Sequence, residues 1–168
     1  NYFRACFEDP FQGGTIAKFA AAELSAKTAA IIYNAADAYS TGLMESFTAA
    51  AQEAGMEVVA TEGYATEDVD FKAQLTNIAG KQPDVLFIPD YYNTCYLIAS
   101  QSSVLGITAT FLGADATDGV PALEGTNYDV SEAPYFPNHY AADHPAAAAV
   151  DFPPSYGTAS GETPSALA

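Results

Sequence analysis

The residues whose types could do chemistry together are two aspartates and a set of tyrosines, each just after a short apolar run. Tyr39 follows the run at 28–33, Asp90-Tyr91-Tyr92 follows 85–88, and Asp115 follows 110–113. A carboxylate accepts charge-assisted hydrogen bonds from an ammonium, while phenols can wall such a group and add polar contacts. The set therefore suits a small molecule carrying a positive charge. A second chemistry uses the same acids: Asp90, Asp115 and Asp118 could converge on a hard cation. Solvated acids at strand ends are the commoner arrangement, and no metal site is expected. A receiver-type phosphoacceptor would also draw on Asp90 or Asp115, but it calls for a strand-end lysine that the sequence does not offer.

Other catalytic classes find little support. The two histidines, His139 and His144, sit together in a proline-rich stretch, and no GxSxG elbow accompanies them. Neither a GxGxxG nor a P-loop follows any apolar run, so Gly13-Gly14 reads as a helix approach and not as a phosphate cradle. The chain is not expected to be an enzyme or to need a cofactor. A formal charge of −16, from 21 acidic and 5 basic residues, repels phosphate backbones and anionic lipid surfaces, which argues against nucleic-acid or membrane-surface binding. Cys6 and Cys95 belong to no CxxC or Cys/His cluster. Two buried free thiols are expected, with a single bridge as the alternative.

The elements that must position these residues alternate along the chain. Residues 2–7 read as a strand, and the Asp9-Pro10 break leads through Gly13-Gly14 into a helix ending near Leu24. The continuous apolar run at 28–33 suits a strand covered on both faces, followed by a helix over 39–54 that Gly55 closes. A strand at 57–63 precedes a helix spaced by Phe71, Leu75 and Ile78 that stops at Gly80. A strand at 85–88, a helix over 92–105 ended by Gly106, and a strand at 110–113 complete the series. Five strands alternating with four helices imply an α/β, Rossmann-like three-layer lobe with a mostly parallel sheet, because right-handed crossovers place helices on both faces. Ligands in such sheets lie beyond the carboxyl ends of the strands. Beyond Gly119 the character changes: seven of the ten prolines fall there, with four alanines from Ala146. One more extended segment at 136–140 and one weak helix broken by Pro153-Pro154 are expected. The division is a ligand-binding lobe over 1–125 and a hinge strand with an irregular or weakly helical tail over 126–168.

The stretches YFRACFEDPFQGG, AAIIYNAADAYSTGLMESFTAAAQEAG, DFKAQLTNIAGKQPDVLFIPDYYN and GITATFLGAD resemble the second lobe of branched-chain amino acid binding proteins of ABC transporters, over residues 2–118. These have the type I periplasmic-binding-protein fold, two Rossmann-like lobes joined by crossing hinge strands with an amino acid held in the cleft. The resemblance implies that Tyr39 and Tyr91 line the cleft and that Asp115 receives the ligand's α-ammonium. It further implies that 9–13 form a cleft-facing loop, so that Phe11 and Gln12 touch the ligand or the opposing lobe. Thr117 stands where relatives carry an aromatic wall. The first lobe, whose hydroxyls and backbone amides hold the α-carboxylate in that family, has no counterpart in these stretches. The implied partners are a small amino acid and, for the intact protein, an ABC permease. The implied location is periplasmic or extracellular, with no signal sequence in the stretch given. An isolated lobe would also expose cleft and hinge surfaces, so a homodimer through them is a further expectation. The alternative is a ligand-sensing domain of a receptor or transcriptional regulator, which can share the fold.

Overall fold

The computed structural model describes residues 6–122, 134–139 and 147–161. Residues 6–122 and 134–137 fall within one compact unit and α5 (Ala147–Ser160) within another. The first unit runs α1 (Asp9–Ala22), β1 (Thr28–Asn34), α2 (Ala38–Glu53), β2 (Glu57–Tyr64), α3 (Lys72–Ala79), β3 (Val85–Phe87), α4 (Tyr92–Val104), β4 (Thr110–Leu112) and a 3-10 helix, Asp115–Ala122. The four strands are parallel in the order β2-β1-β3-β4. This is the lobe architecture the alternation of elements predicts.

The reason β1 reads as an unbroken apolar run is that both of its faces are covered. Ala29 and Ile31 point into a cluster with Ile16, Ala17, Leu43 and Phe47 of α1 and α2, where Phe47 stacks on Phe87 of β3 at 4.4 Å between ring centroids. Ala30 and Ile32 point the other way, into a cluster with Leu75 and Ile78 of α3 and Ile98 of α4. Alternate residues thus feed two cores, which a half-exposed strand could not do. The exposed Asp84 ties the starts of β1 and β3 together: its Oδ2 accepts from the Lys27 and Thr28 N–H groups at 2.8 and 2.9 Å, and from the Thr28 hydroxyl at 3.0 Å. Those donors hold its carboxyl below the ordinary range.

Helix ends follow the turn chemistry. Gly55 and Gly106 take φ of 76° and 71° just past α2 and α4, a conformation costly for residues with a Cβ. Where α1 begins corrects the sequence reading. Residues 9–13 are not a loop but the opening turns of α1, with Gln12 N–H donating to Glu8 O at 3.1 Å. Pro10 is accommodated because the first-turn N–H it lacks would have had no partner within the helix.

The expected strand at 2–7 lies partly outside the described residues, and Cys6 and Phe7 precede α1 without strand pairing. The extended strand expected at 136–140 is not formed over the described residues 136–139, and Tyr140 lies outside them; instead Tyr135 alone makes an isolated parallel bridge to Leu112, with Gly113 N–H donating to Tyr135 O and Tyr135 N–H to Phe111 O. The expected boundary at 125 and 126 also lies outside them. In the second unit α5 runs through Pro153-Pro154, where the sequence predicts a break. Each proline removes one donor, yet its φ is already helical. The Thr158 hydroxyl donates to Pro154 O at 2.7 Å and the Ser160 hydroxyl to Tyr156 O at 2.9 Å, bonding backbone carbonyls of the last turns.

Helices α1 and α2 approach closely at Gly13 of α1, where a Cβ would stand 2.1 Å from Ser46 Oγ and 2.9 Å from the Leu43 carbonyl of α2. Gly13→Ala is expected to lower stability by about 1–3 kcal/mol through overpacking. Gly14→Ala, whose Cβ would meet only Ala50 Cβ at 3.9 Å, is expected to raise it by roughly 0.5–1 kcal/mol. Denaturant midpoints of the two variants against the parent chain check the pair.

Candidate functional site

The strand order reverses between β1 and β3: from β1 the chain crosses to β2 on one side, and the following strands lie on the other. A crevice forms at such a point because successive crossover helices leave in opposite directions. Tyr39 stands in the first turn of α2, just after β1, and Tyr91 is the residue before α4, just after β3. Their rings lie 5.6 Å apart, tilted by 36°. Asp115 opens the 3-10 helix after β4, and the Tyr39 hydroxyl donates to its Oδ1 at 2.5 Å. The same Oδ1 accepts from the Ala116 N–H at 2.9 Å. Three residues 76 positions apart at the extremes therefore meet on one rim of the sheet.

Local chemistry fixes each of them. The Asp37 side chain caps α2 by accepting from the Tyr39 N–H at 3.3 Å. Asn34 at the end of β1 receives the Ala36 N–H on its Oδ1 at 3.1 Å, and its own N–H donates to the buried Ser40 hydroxyl at 2.9 Å. On the β4 side, Gln12 of α1 is 1% exposed, and its Oε1 accepts the Asp115 N–H at 2.5 Å. Gln12 thus sets the backbone that carries Asp115. Phe11, 64% exposed on the outward side of α1, makes a ring contact with Phe7 at 6.0 Å.

Asp90 is brought to the same rim but turned inward. It is 4% exposed, and its carboxylate accepts the Tyr91 N–H at 2.6 Å on one oxygen and the Tyr64 hydroxyl on the other. Thr117 is placed differently from the rest. It is buried, with its hydroxyl accepting from the Ala114 N–H at 3.2 Å and lying 3.8 Å from Cys95 Sγ, so it closes the turn beneath Asp115 instead of standing in the crevice. A Cβ on Gly113 would collide with it at 2.3 Å.

Beside Tyr91 opens a polar hollow of about 530 Å³, lined by Asn34, Asp37, Thr66, Asp90 and Asn93 among others. Its field is negative. Burial first, and then the charges of Asp37, Asp90, Asp115 and Asp9, push the Tyr91 phenol up. Burial and the bond to Asp115 push Tyr39 up, and Asp9 adds to the shift. Both phenols therefore stay protonated as donors. Burial also raises the Asp90 carboxyl, against the lowering effect of its two hydrogen bonds. Among the described residues no group of three His, Cys, Asp or Glu side chains is arranged to hold a metal ion.

Sequence reasoning missed Tyr64. Ending the strand at Gly63 left out Tyr64, whose hydroxyl reaches Asp90, although Tyr64 closes β2 at the same rim as the others. It expected Gln12 to touch the ligand or the opposing lobe, and did not foresee that its Oε1 accepts the Asp115 N–H.

A sequence model of the family described as periplasmic binding protein matches residues 1–168. The chain belongs to that family. It is 30% identical over 150 residues to a Leu/Ile/Val-binding protein of Rhizobium johnstonii, an alignment spanning 84% of this chain and 41% of that protein. A crystal structure of the leucine binding protein LivK from Thermotoga maritima superposes with a TM-score of 0.86 at 34% identity, over 98% of this chain and 47% of that one. The branched-chain amino acid transporter substrate binding protein LivJ from Streptococcus pneumoniae, in complex with isoleucine, gives a TM-score of 0.87 at 29% identity over the same shares. The chain thus spans about half the length of these relatives. The superpositions establish the fold as a lobe of a type I periplasmic binding protein.

Both cysteines are free, but Cys6 is exposed, which corrects the expectation of two buried thiols. Cys95 is buried against the Ile88 and Asp90 carbonyls, and burial pushes its thiol up to about 12. A thiolate-seeking reagent at about pH 8 is expected to modify Cys6 rapidly and Cys95 only after unfolding. Counting released chromophore before and after adding denaturant checks this. Asp90 gives a pH prediction of known sign. Its folded value lies above the unfolded one, so its contribution to stability is full below the ordinary carboxyl range and is lost as pH climbs through the raised value. Asp90→Asn is expected to flatten the fall in unfolding free energy over that range, measured by denaturant titrations at stepped pH.

Proposed function

We propose that this chain is the lobe of an extracytoplasmic solute-binding protein that receives the ammonium end of a small amino acid, for uptake by an ABC transporter. The single observation that carries the reading is the Tyr39 hydroxyl on Asp115 at the switch point, with the Tyr91 ring against Tyr39. A carboxylate held in place by a phenol and a backbone amide, within a field of further carboxylates, is built to accept donors from a cation and not to perform proton or group transfer. Asp115 would take the α-ammonium while Tyr39 and Tyr91 wall the ligand.

A branched-chain or related small amino acid is the ligand class, supported by the names of the Rhizobium and Thermotoga relatives and by the isoleucine in the Streptococcus one. The α-carboxylate would be held by a facing lobe, and closure of two lobes about a hinge would present the loaded form to a membrane permease. On this reading the 168-residue chain alone binds weakly or not at all, because each carboxylate hydrogen bond left unmade forfeits about 1.5–3 kcal/mol.

The test is calorimetric titration of leucine, isoleucine, valine and alanine into a protein carrying both lobes and into the 168-residue chain. One of the four is expected to bind the two-lobed protein, and Asp115→Asn is expected to weaken that binding by about 10- to 150-fold, the loss of a charged hydrogen bond. A two-lobed protein that binds none of them, or an Asp115→Asn variant of unchanged affinity, would overturn the reading.

A further inference from the structure

The most exposed aromatic of the rim, Tyr91, has the least support of its own. It is 53% exposed and occupies the N-cap of α4 without a side-chain cap for that helix. Its position instead depends on Asp90, the residue before it. Asp90 lies in the short connection between β3 and α4, and a flexible connection there would let Tyr91 swing away from Tyr39. Both oxygens of this buried carboxylate are used: Oδ1 takes the Tyr91 N–H at 2.6 Å, and Oδ2 takes the Tyr64 hydroxyl. The Asp90 carbonyl takes the Cys95 thiol at 3.1 Å, and Cys95 N–H bonds Tyr91 O at 3.0 Å, closing the first turn of α4 over the same residue.

Tyr64 is itself rigid. It ends β2, is buried, and sets its ring edge-on to Phe71 at 4.9 Å. Its hydroxyl reaches across from β2, on the far side of β1, to the residue that follows β3. A buried carboxylate without donors would be strongly unfavourable, so the pair has one stable arrangement, and that arrangement fixes the backbone from which the Tyr91 ring projects. Neither Tyr64 nor the carboxylate of Asp90 needs to touch a ligand for this to matter.

We infer that Tyr64 and Asp90 are positioning residues that hold Tyr91 against Tyr39, so that the aromatic wall of the crevice is set before any ligand arrives. The inference rests on reading the Tyr39, Tyr91 and Asp115 rim as the ligand site, and it adds a preorganising support that reaches the site from the opposite edge of the sheet. A wall fixed in advance spares the ordering cost that binding would otherwise carry.

The experiment follows the ring signals of isotope-labelled tyrosines in the 168-residue chain without ligand. Tyr64→Phe keeps the ring against Phe71 and deletes one hydroxyl. It is expected to shift or average the Tyr91 and Tyr39 ring signals while leaving Tyr135, which packs on Phe19, unchanged. Asp90→Asn, which keeps an acceptor for the Tyr91 N–H, is expected to disturb Tyr91 less than Asp90→Ala does. Adding Tyr64→Phe to Asp90→Ala should change nothing more, since Tyr64 acts through Asp90. In a two-lobed protein, Tyr64→Phe is expected to weaken leucine binding by about fivefold, the net worth of one ordinary hydrogen bond. Unmoved Tyr91 signals in Tyr64→Phe, or additive effects in the double variant, would overturn the inference. If Asp90→Ala fails to fold, the Tyr64→Phe spectrum decides alone. Because the ring signals need no ligand, a failure of leucine to bind would sink the proposed function and leave this support standing or falling on its own spectrum.

Discussion

The burial of β1 on both faces is the constraint from which the rest of the lobe follows. Its alternate residues feed two separate cores, so α1 and α2 must cover one side of the sheet and α3 and α4 the other. Parallel neighbours on both edges of β1 then require crossovers in opposite directions, and the carboxyl ends of β1 and β3 are left with a crevice between them. The hydrophobic pattern of seven residues, Thr28–Asn34, thereby decides where the crevice opens.

Within the crevice, the polar groups are arranged in two tiers. Tyr39 and Asp115 face each other at the rim, and both are held by groups behind them: Asp37 caps the helix that carries Tyr39, and Gln12 bonds the backbone that carries Asp115. Asp90 and Tyr64 form the tier beneath Tyr91. Burial first, and the neighbouring carboxylates after it, raise the phenols of Tyr39 and Tyr91, and burial likewise raises the Asp90 carboxyl.

The family match and the superposed lobes agree with this physical reading without replacing it. A type I lobe can serve different ligands, so the fold alone would not point to an amino acid. The pairing of Asp115 with a phenol at the switch point is what the proposal of a ligand with a cationic end rests on. Thr117 is buried, with its hydroxyl on the Ala114 N–H.

What the sequence determined by itself was the order and kind of the elements from β1 to β4, because a fully buried strand, an amphipathic helix and a glycine at a helix end each leave a local mark. Tyr39, Tyr91 and Asp115 could also be placed on one rim, since every parallel strand ends on the same side. The tertiary structure alone decided what those residues touch. Nothing local distinguishes Gln12 as a support for Asp115 from Gln12 as a ligand contact, because the two partners are 103 positions apart. Nor does anything local turn Thr117 inward, continue α5 through Pro153-Pro154, or send the Tyr64 hydroxyl across the sheet to Asp90. Those outcomes depend on which atoms long-range packing leaves without a partner, and a buried donor or acceptor takes the nearest one that the assembled fold provides.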